Sequence, residues 1–192
     1  MITYLRPAIV LVVLFTIVTG LAYPLAMTGL AQLILPVQAN GSLVERDGKI
    51  AGSASIGQSF TTDRYFHARP SAAGQNGYDA ANSSGSNLGP LSKKLLDRVA
   101  ADVQTLRGSS AILIPADAVT TSASGLDPHI SPAYAALQVE RVAKARGVDR
   151  GRVNTILKSL SERPTLGIVG EPKVNVFLLN LALDAGLAQG NL

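Results

Sequence analysis

The sequence predicts an α+β fold carried behind one amino-terminal membrane helix, on three observations. First, Ala8 to Leu35 is almost wholly apolar, and no charged residue occurs between Arg6 and Glu45. A bilayer core of about 30 Å needs about 20 apolar residues in a helix, which this run exceeds. Second, helical and strand-like apolar patterns are mixed beyond it without a regular βαβ repeat, which favours α+β over a doubly wound sheet. Third, Tyr65 to Pro90 (YFHARPSAAGQNGYDAANSSGSNLGP) has neither period. Irregular segments of this length are uncommon in compact domains and are functional or disordered. Linkers do not hold aromatics at intervals, as this one holds Tyr65, Phe66 and Tyr78, so an ordered loop is expected. The division that follows is an anchor helix over residues 1–36 and one soluble domain over residues 37–192.

Taken in order, the anchor contains Pro24, which removes one helical hydrogen bond, a loss tolerated in membrane helices. Thr16, Gly20, Pro24 and Thr28 recur every four residues, a stripe suited to close approach of another helix. A signal peptide cleaved after Ala39 is the competing reading, but the run is far longer than the usual h-region. Ser42 to Ile50, centred on Asp47-Gly48, reads as a hairpin. Ser53 to Phe60 reads as a second short strand. Pro90 fits the first position of a helix with Leu91, Leu95, Val99, Val103 and Leu106 inward and Gly108 as its stop. Ala111 to Pro115 reads as a buried strand. Ser131 caps a helix beginning at Pro132, with Ala135, Val139, Val142 and Ala143 inward and Gly147 at its end. Asp149 caps the next, with Val153, Ile156, Leu157 and Leu160 inward. Leu166 to Val169 reads as a strand, and Val174 to Leu187 as a final apolar helix.

Several chemistries are excluded by the residues. There is no cysteine and there are only two histidines among 192 residues, so disulfides, a thiolate nucleophile and an ordinary zinc centre are not expected. No P-loop or nucleophile elbow occurs. The net charge of +4 is a weak pointer to nucleic acid, and aromatics do not interleave the basic residues. Between Arg141 and Arg163 lie Arg141, Lys144, Arg146, Arg150, Arg152, Lys158 and Arg163 against Glu140, Asp149 and Glu162; solvated helix faces are expected there rather than an anion patch. Gly85-Ser86-Asn87 leading into a helix would suit an anion at the helix start, or equally brace itself. Asp127 and His129, with Ser71 or Ser84, form the one conceivable hydrolase set; turn chemistry before a helix cap is the plainer reading.

Read together, Gly57-Gln58-x-Phe60, Tyr65-Phe66-x-x-Arg69-Pro70-Ser71-Ala72, Tyr78-Asp79 and Ser84-Gly85-Ser86-Asn87-Leu88-Gly89-Pro90 carry a resemblance. Asp127-Pro128-His129-Ile130-Ser131-Pro132, Ala143-x-Ala145-Arg146-Gly147, Gly170-Glu171-Pro172-x-Val174-Asn175-Val176 and Leu179-Asn180-Leu181-Ala182-Leu183-Asp184 extend it. The chain resembles the C subunit of the bacterial Kdp potassium-transporting ATPase, the KdpC family, over nearly its whole length. The resemblance implies a non-catalytic accessory subunit needed for assembly and activity. Its partners would be a channel-like potassium-translocating subunit, a P-type ATPase subunit, a small hydrophobic subunit and membrane lipid, with no nucleic acid. It implies a single-pass inner-membrane protein with a cytoplasmic amino terminus and a periplasmic domain. It also implies no catalytic or metal residues and no tightly bound cofactor. ATP enters only by the family's proposed role as a catalytic chaperone that raises the ATP affinity of the ATPase subunit. Ser84, Gly85, Ser86, Asn87 and Gln138 are the residues that proposal would involve, although Ser84 stands where the family usually has Gly. The alternative account is structural: a loop built on Tyr65, Phe66, Arg69, Pro70, Tyr78, Asp79 and Pro90, braced by Arg69, Asp79 and Asn87, that docks on a membrane partner.

Overall fold

The structure is a computed structural model that describes residues 2–107, 112–164 and 167–188. Two compact units divide it, Met1–Ser53 and Ala54–Leu192. In the first, α1 (Ile2–Ile17), a π-helical turn (Val18–Ala22) and α2 (Tyr23–Ile34) form one helix. The span Thr3–Ile34 is long and apolar enough to cross a membrane. The π turn lies just ahead of Pro24. Proline offers no N–H to the carbonyl four residues back, and just ahead of it the Tyr23 N–H donates five residues back, to Val18 O. The Thr19 hydroxyl likewise bonds back, to Phe15 O at 2.6 Å. After α3 (Pro36–Ala39), β1 (Leu43–Arg46) and β2 (Lys49–Ser53) make the expected antiparallel hairpin. Its turn residues Asp47 (φ 53°) and Gly48 (φ 72°) both take the left-handed conformation that a two-residue hairpin turn requires.

In the second unit, α4 (Lys93–Arg107), α5 (Pro132–Arg146), α6 (Arg150–Ser159) and α7 (Val176–Ala188) accompany a three-stranded antiparallel sheet. That sheet comprises β3 (His129–Ile130), β4 (Ser161–Glu162) and β5 (Lys173–Asn175), in the order β3-β5-β4. The caps behave as their residue types require. The Ser131 hydroxyl accepts from Tyr134 N–H at 3.0 Å, the Asp149 carboxylate from Gly151 N–H at 2.7 Å, and Gly147 closes α5 at φ 67°. The core gathers Val139, Val142, Val153, Leu157, Val174, Leu179 and Leu183 from α5, α6, β5 and α7, with Phe66 and Ile130 among them.

The strand expectations are where the structure departs. Ser53 to Phe60 is irregular beyond Ser53. There the Gly57 N–H donates to Leu126 O at 2.8 Å, and a Cβ at Gly57 would lie 2.7 Å from Asp127 O. The chain is paired to another loop, not to a strand. Ile112 to Pro115 is also irregular, with Leu113 91% exposed, and Ala111 lies outside the described residues. Of Leu166 to Val169, Leu166 is outside the described residues, Gly167-Ile168 is a turn with Ile168 exposed, and Val169 makes a single bridge rather than a strand. The paired strands fall on either side of it. The final helix starts at Val176 because Val174 and Asn175 belong to β5, and the Asn175 side chain then accepts from Leu178 N–H. Pro90 sits in a turn and the helix begins at Lys93; the proposed stop at Gly108 lies outside the described residues.

Gly125 offers a test of how tightly the loops are knotted. It holds φ 70°, and a Cβ there would meet Ala73 Cβ at 2.6 Å and Ser84 O at 2.7 Å, whereas one at Gly89 meets nothing within 4 Å. Gly125→Ala is expected to destabilise the folded state by roughly 2–5 kcal/mol, from left-handed strain plus overpacking. Gly89→Ala should change little. Chemical denaturation of the two variants in detergent checks the contrast.

Candidate functional site

The segment from Asp63 to His67 has no strand partner, so its polar groups need other partners wherever water is excluded. Side chains supply them. The Arg141 guanidinium donates to Asp63 O at 2.9 Å and to Tyr65 O at 3.1 Å. Arg146 donates to Arg64 O at 2.6 Å. The Asn180 amide accepts from Phe66 N–H at 2.8 Å and donates to Phe66 O at 3.0 Å. The Gln138 amide treats the next residue the same way, accepting from His67 N–H at 2.7 Å and donating to His67 O at 3.0 Å. Arg141 also donates to Gln138 Oε1 at 2.8 Å. Two amides, one from α5 and one from α7, thus stand in for strand neighbours while the Phe66 ring is fully buried in the core.

Tyr65 is fixed at its other end. Its hydroxyl donates to Asp184 at 3.1 Å, and the Arg146 guanidinium lies 5.0 Å over its ring and 2.9 Å from Asp184. Arg146, only 3% exposed at the side chain, and Arg141, 30% exposed, are therefore not solvated helix-face residues as the charge run suggested. Burial pulls the Arg141 guanidinium below its ordinary pKa, with Asp63 opposing.

Further along, Arg69 meets Asp127 at 3.0 Å and Thr120 at 3.3 Å. The Tyr78 hydroxyl donates to Arg69 O at 2.6 Å, and Ser122 N–H donates to Pro70 O at 2.9 Å. Burial, then the neighbouring Asp127 charge, raises the Tyr78 phenol above its usual range. Asp79 accepts from the Asn82 side chain and from Ala81 N–H, which hold its carboxyl below the usual value. Asn87 does not brace the loop: it is exposed and supplies a left-handed turn (φ 50°). Pro90 is exposed in its turn.

The residues considered for nucleotide are engaged with other parts of the chain. Ser84 N–H donates to Ser124 O at 3.0 Å, and a Cβ at Gly85 would lie 2.7 Å from Ala123 O, so this stretch is stitched to the 123–125 loop. Ser86 is half-buried and Asn87 exposed. With the helix starting at Lys93, its free amides are not presented by Gly85-Ser86-Asn87. Gln138 is 6% exposed and its amide is engaged at both ends by His67.

The hydrolase set also fails as geometry. Asp127 accepts from His129 N–H at 3.0 Å, and the His129 ring nitrogen lies 3.5 Å from the same oxygen, beside an open cleft of about 630 Å³. Hydrogen bonding from His129 and the Arg69 guanidinium, working against burial, hold the Asp127 carboxyl at about 2. Yet Ser71 donates to Gly125 O and accepts from Ala73 and Tyr78 N–H, and Ser84 donates to Gly85 O. Neither serine hydroxyl is directed at the imidazole. Asp127 and His129 shape the turn before α5.

The pattern did carry one readable signal that was missed. Asn180 is a lone amide on the buried face of an apolar helix, and such a group must have a partner.

Fold and site together define an α+β module behind one long apolar helix, with buried polar groups of α5 and α7 holding one irregular segment. Comparison with known proteins gives the family. The model described as "KdpC: K+-transporting ATPase, c chain" matches residues 5–185. A protein of Methylobacterium nodulans named potassium-transporting ATPase KdpC subunit is 55% identical over 96% of this chain and 98% of its own length. One of that name from Caulobacter vibrioides is 56% identical over 96% and 94%, and one from Bradyrhizobium diazoefficiens 52% identical over 98% and 100%. The chain belongs to the KdpC family.

Two outcomes follow from the geometry. Gln138→Leu leaves the His67 N–H and C=O without partners and is expected to cost about 2–4 kcal/mol, with faster hydrogen exchange at Phe66 and His67. His67 itself is shifted down from 6.5, chiefly by burial. Its folded pKa lies below the unfolded value, so its contribution is complete above about pH 6.5 and declines as pH falls through the folded pKa. Denaturation midpoints between about pH 7.5 and about pH 5 should fall more steeply in the native chain than in His67→Gln.

Proposed function

We propose that this chain is the non-catalytic, membrane-anchored C subunit of a potassium-transporting ATPase, and that its domain acts as a rigid docking body. The observation that carries this reading is family membership over residues 5–185 joined to the use of the segment's polar groups. Arg141, Arg146, Gln138 and Asn180 all bond inward to residues 63–67. A loop held this firmly presents one fixed surface, which suits a partner interface at little ordering cost.

The partners in this reading are the ion-translocating and ATP-hydrolysing subunits of the same complex, with the small hydrophobic subunit beside the anchor. The orientation is amino terminus inside, domain outside. The docking residues are the exposed parts of the Tyr65–Pro90 loop, with Tyr65, Phe66, Arg69, Pro70, Tyr78 and Asp79 supporting them. ATP at this chain, which the family's chaperone account allows, would have to be met without Gln138, whose amide is occupied by His67.

Extraction in mild detergent from cells expressing the complex tests the assignment. The chain is expected to co-migrate with a much larger ATPase subunit, and recovery as a lone monomer at native expression would overturn it. Orientation is read separately. The chain has no cysteine, so Leu113→Cys, at a site 91% exposed, should react with a membrane-impermeant maleimide from outside spheroplasts. Labelling only after permeabilisation would reverse the topology.

A further inference from the structure

The hairpin Leu43–Ser53 is not an outlying piece of the soluble domain. It falls within the same compact unit as the apolar helix, and polar bonds fix the connection. Gln32 on α2 and Asn40 exchange both hydrogen bonds of their amides, at 3.2 and 3.1 Å. Asn40 also donates to Pro36 O at 2.7 Å, and the Ser53 hydroxyl donates to Gly41 O at 2.6 Å. The hairpin is therefore held close to the end of the helix rather than swinging from it.

The pairing sorts its side chains. Leu43 faces Ser53 and Glu45 faces Ile50, so Leu43 and Ile50 share a face, while Arg46 and Lys49 are paired at the turn end. Leu43 is 49% and Ile50 63% exposed, and Val37 on the connecting turn of helix is 63% exposed. Arg46 and Lys49 are exposed beside Asp47. Apolar side chains with cations at the rim are the composition of an element that lies in a bilayer interface.

Length says what covers this face. Counting 1.5 Å per residue, the apolar helix from Pro7 to Ile34 spans about 42 Å. That matches the roughly 40–45 Å of a bilayer including its headgroup layers. The helix thus ends at headgroup level, and the hairpin begins nine residues later. Glu45, on the same face as Ile50, sets the depth, because an ionised carboxylate stays out of hydrocarbon.

We propose that the hairpin Leu43–Ser53 is an interfacial foot of the anchor. It rests Leu43 and Ile50 in the phospholipid headgroup layer and sets Arg46 and Lys49 against lipid phosphates. The inference rests on the membrane-anchor reading, and the test separates the two. In the cysteine-free full chain, spin labels are placed singly at Val12→Cys, Leu43→Cys, Ile50→Cys and Leu113→Cys. The chain is reconstituted in vesicles of phosphatidylethanolamine and phosphatidylglycerol. Relaxation by oxygen, which concentrates in lipid, is compared with relaxation by a water-soluble nickel chelate.

The expected result is an oxygen-to-nickel ratio highest at position 12, and severalfold higher at positions 43 and 50 than at 113. Labels at 43 and 50 matching 113, with 12 still in lipid, overturn the foot and leave the anchor intact. Labels at 43 and 50 shielded from both reagents overturn it in favour of packing on protein. A water-accessible label at 12 overturns the anchor reading and the foot together.

Discussion

The second unit depends on how a stretch of backbone without a strand partner satisfies its hydrogen bonds. Five successive carbonyls, Asp63 to His67, each accept from a side chain of α5 or α7. All four buried polar residues of the described chain serve the neighbouring loops. Gln138 and Asn180 hold His67 and Phe66, Asn175 donates to Ala54 O at 2.8 Å, and Ser122 N–H takes Pro70 O. A buried amide without a partner costs about 1–3 kcal/mol, so each of these groups specifies where the loop goes as well as stabilising it. Strand neighbours would have done the same work with backbone alone, but only for an extended run of regular pairing.

Charge enters through the same segment. Arg141 and Arg146 lie one helical turn and a fraction apart on α5, reach carbonyls across the loop, and Arg146 continues to Asp184 on α7. A guanidinium suits this position because its donors are fixed in a plane and it stays charged despite burial. The ion pair with Asp184 balances a cation that is almost out of water. Removing either partner would strand the other. The loop's far end relies on Arg69 and Asp127 in a half-exposed pair, where solvent screening leaves less at stake.

The amino-terminal unit follows a different rule. In hydrocarbon the helix must satisfy its own backbone, and Pro24 would leave a carbonyl unpaired in a strict α ladder. The π turn at Val18–Ala22 stands just ahead of Pro24, with the Tyr23 N–H on Val18 O, so the wider ring falls where the ladder is interrupted. The chain of this family thus has two differently built parts: an apolar helix whose backbone bonds are its own, and a unit whose irregular backbone is held by side chains.

Some of this was set by the sequence alone. The apolar run, the Asp47-Gly48 turn, the Ser131 and Asp149 caps and the Gly147 stop are local chemistry, and each stands where its residues require. The order of motifs sufficed for the family. Tertiary structure decided the rest, because it depended on partners distant in the chain. Ser53 to Phe60 is no strand since Gly57 is taken by Leu126, more than sixty residues on. On a helical wheel Gln138 sits at the edge of the α5 apolar stripe and Arg141 outside it, yet both bond inward because His67 and Tyr65 arrive beside them from 71 and 76 residues away. Arg146 lies on the stripe itself, where only the arrival of Arg64 from 82 residues away explains a buried cation. Periodicity reports which face of an element is apolar. It carries no information about an irregular segment that will cover a polar one, and here residues 63–67 are such a segment.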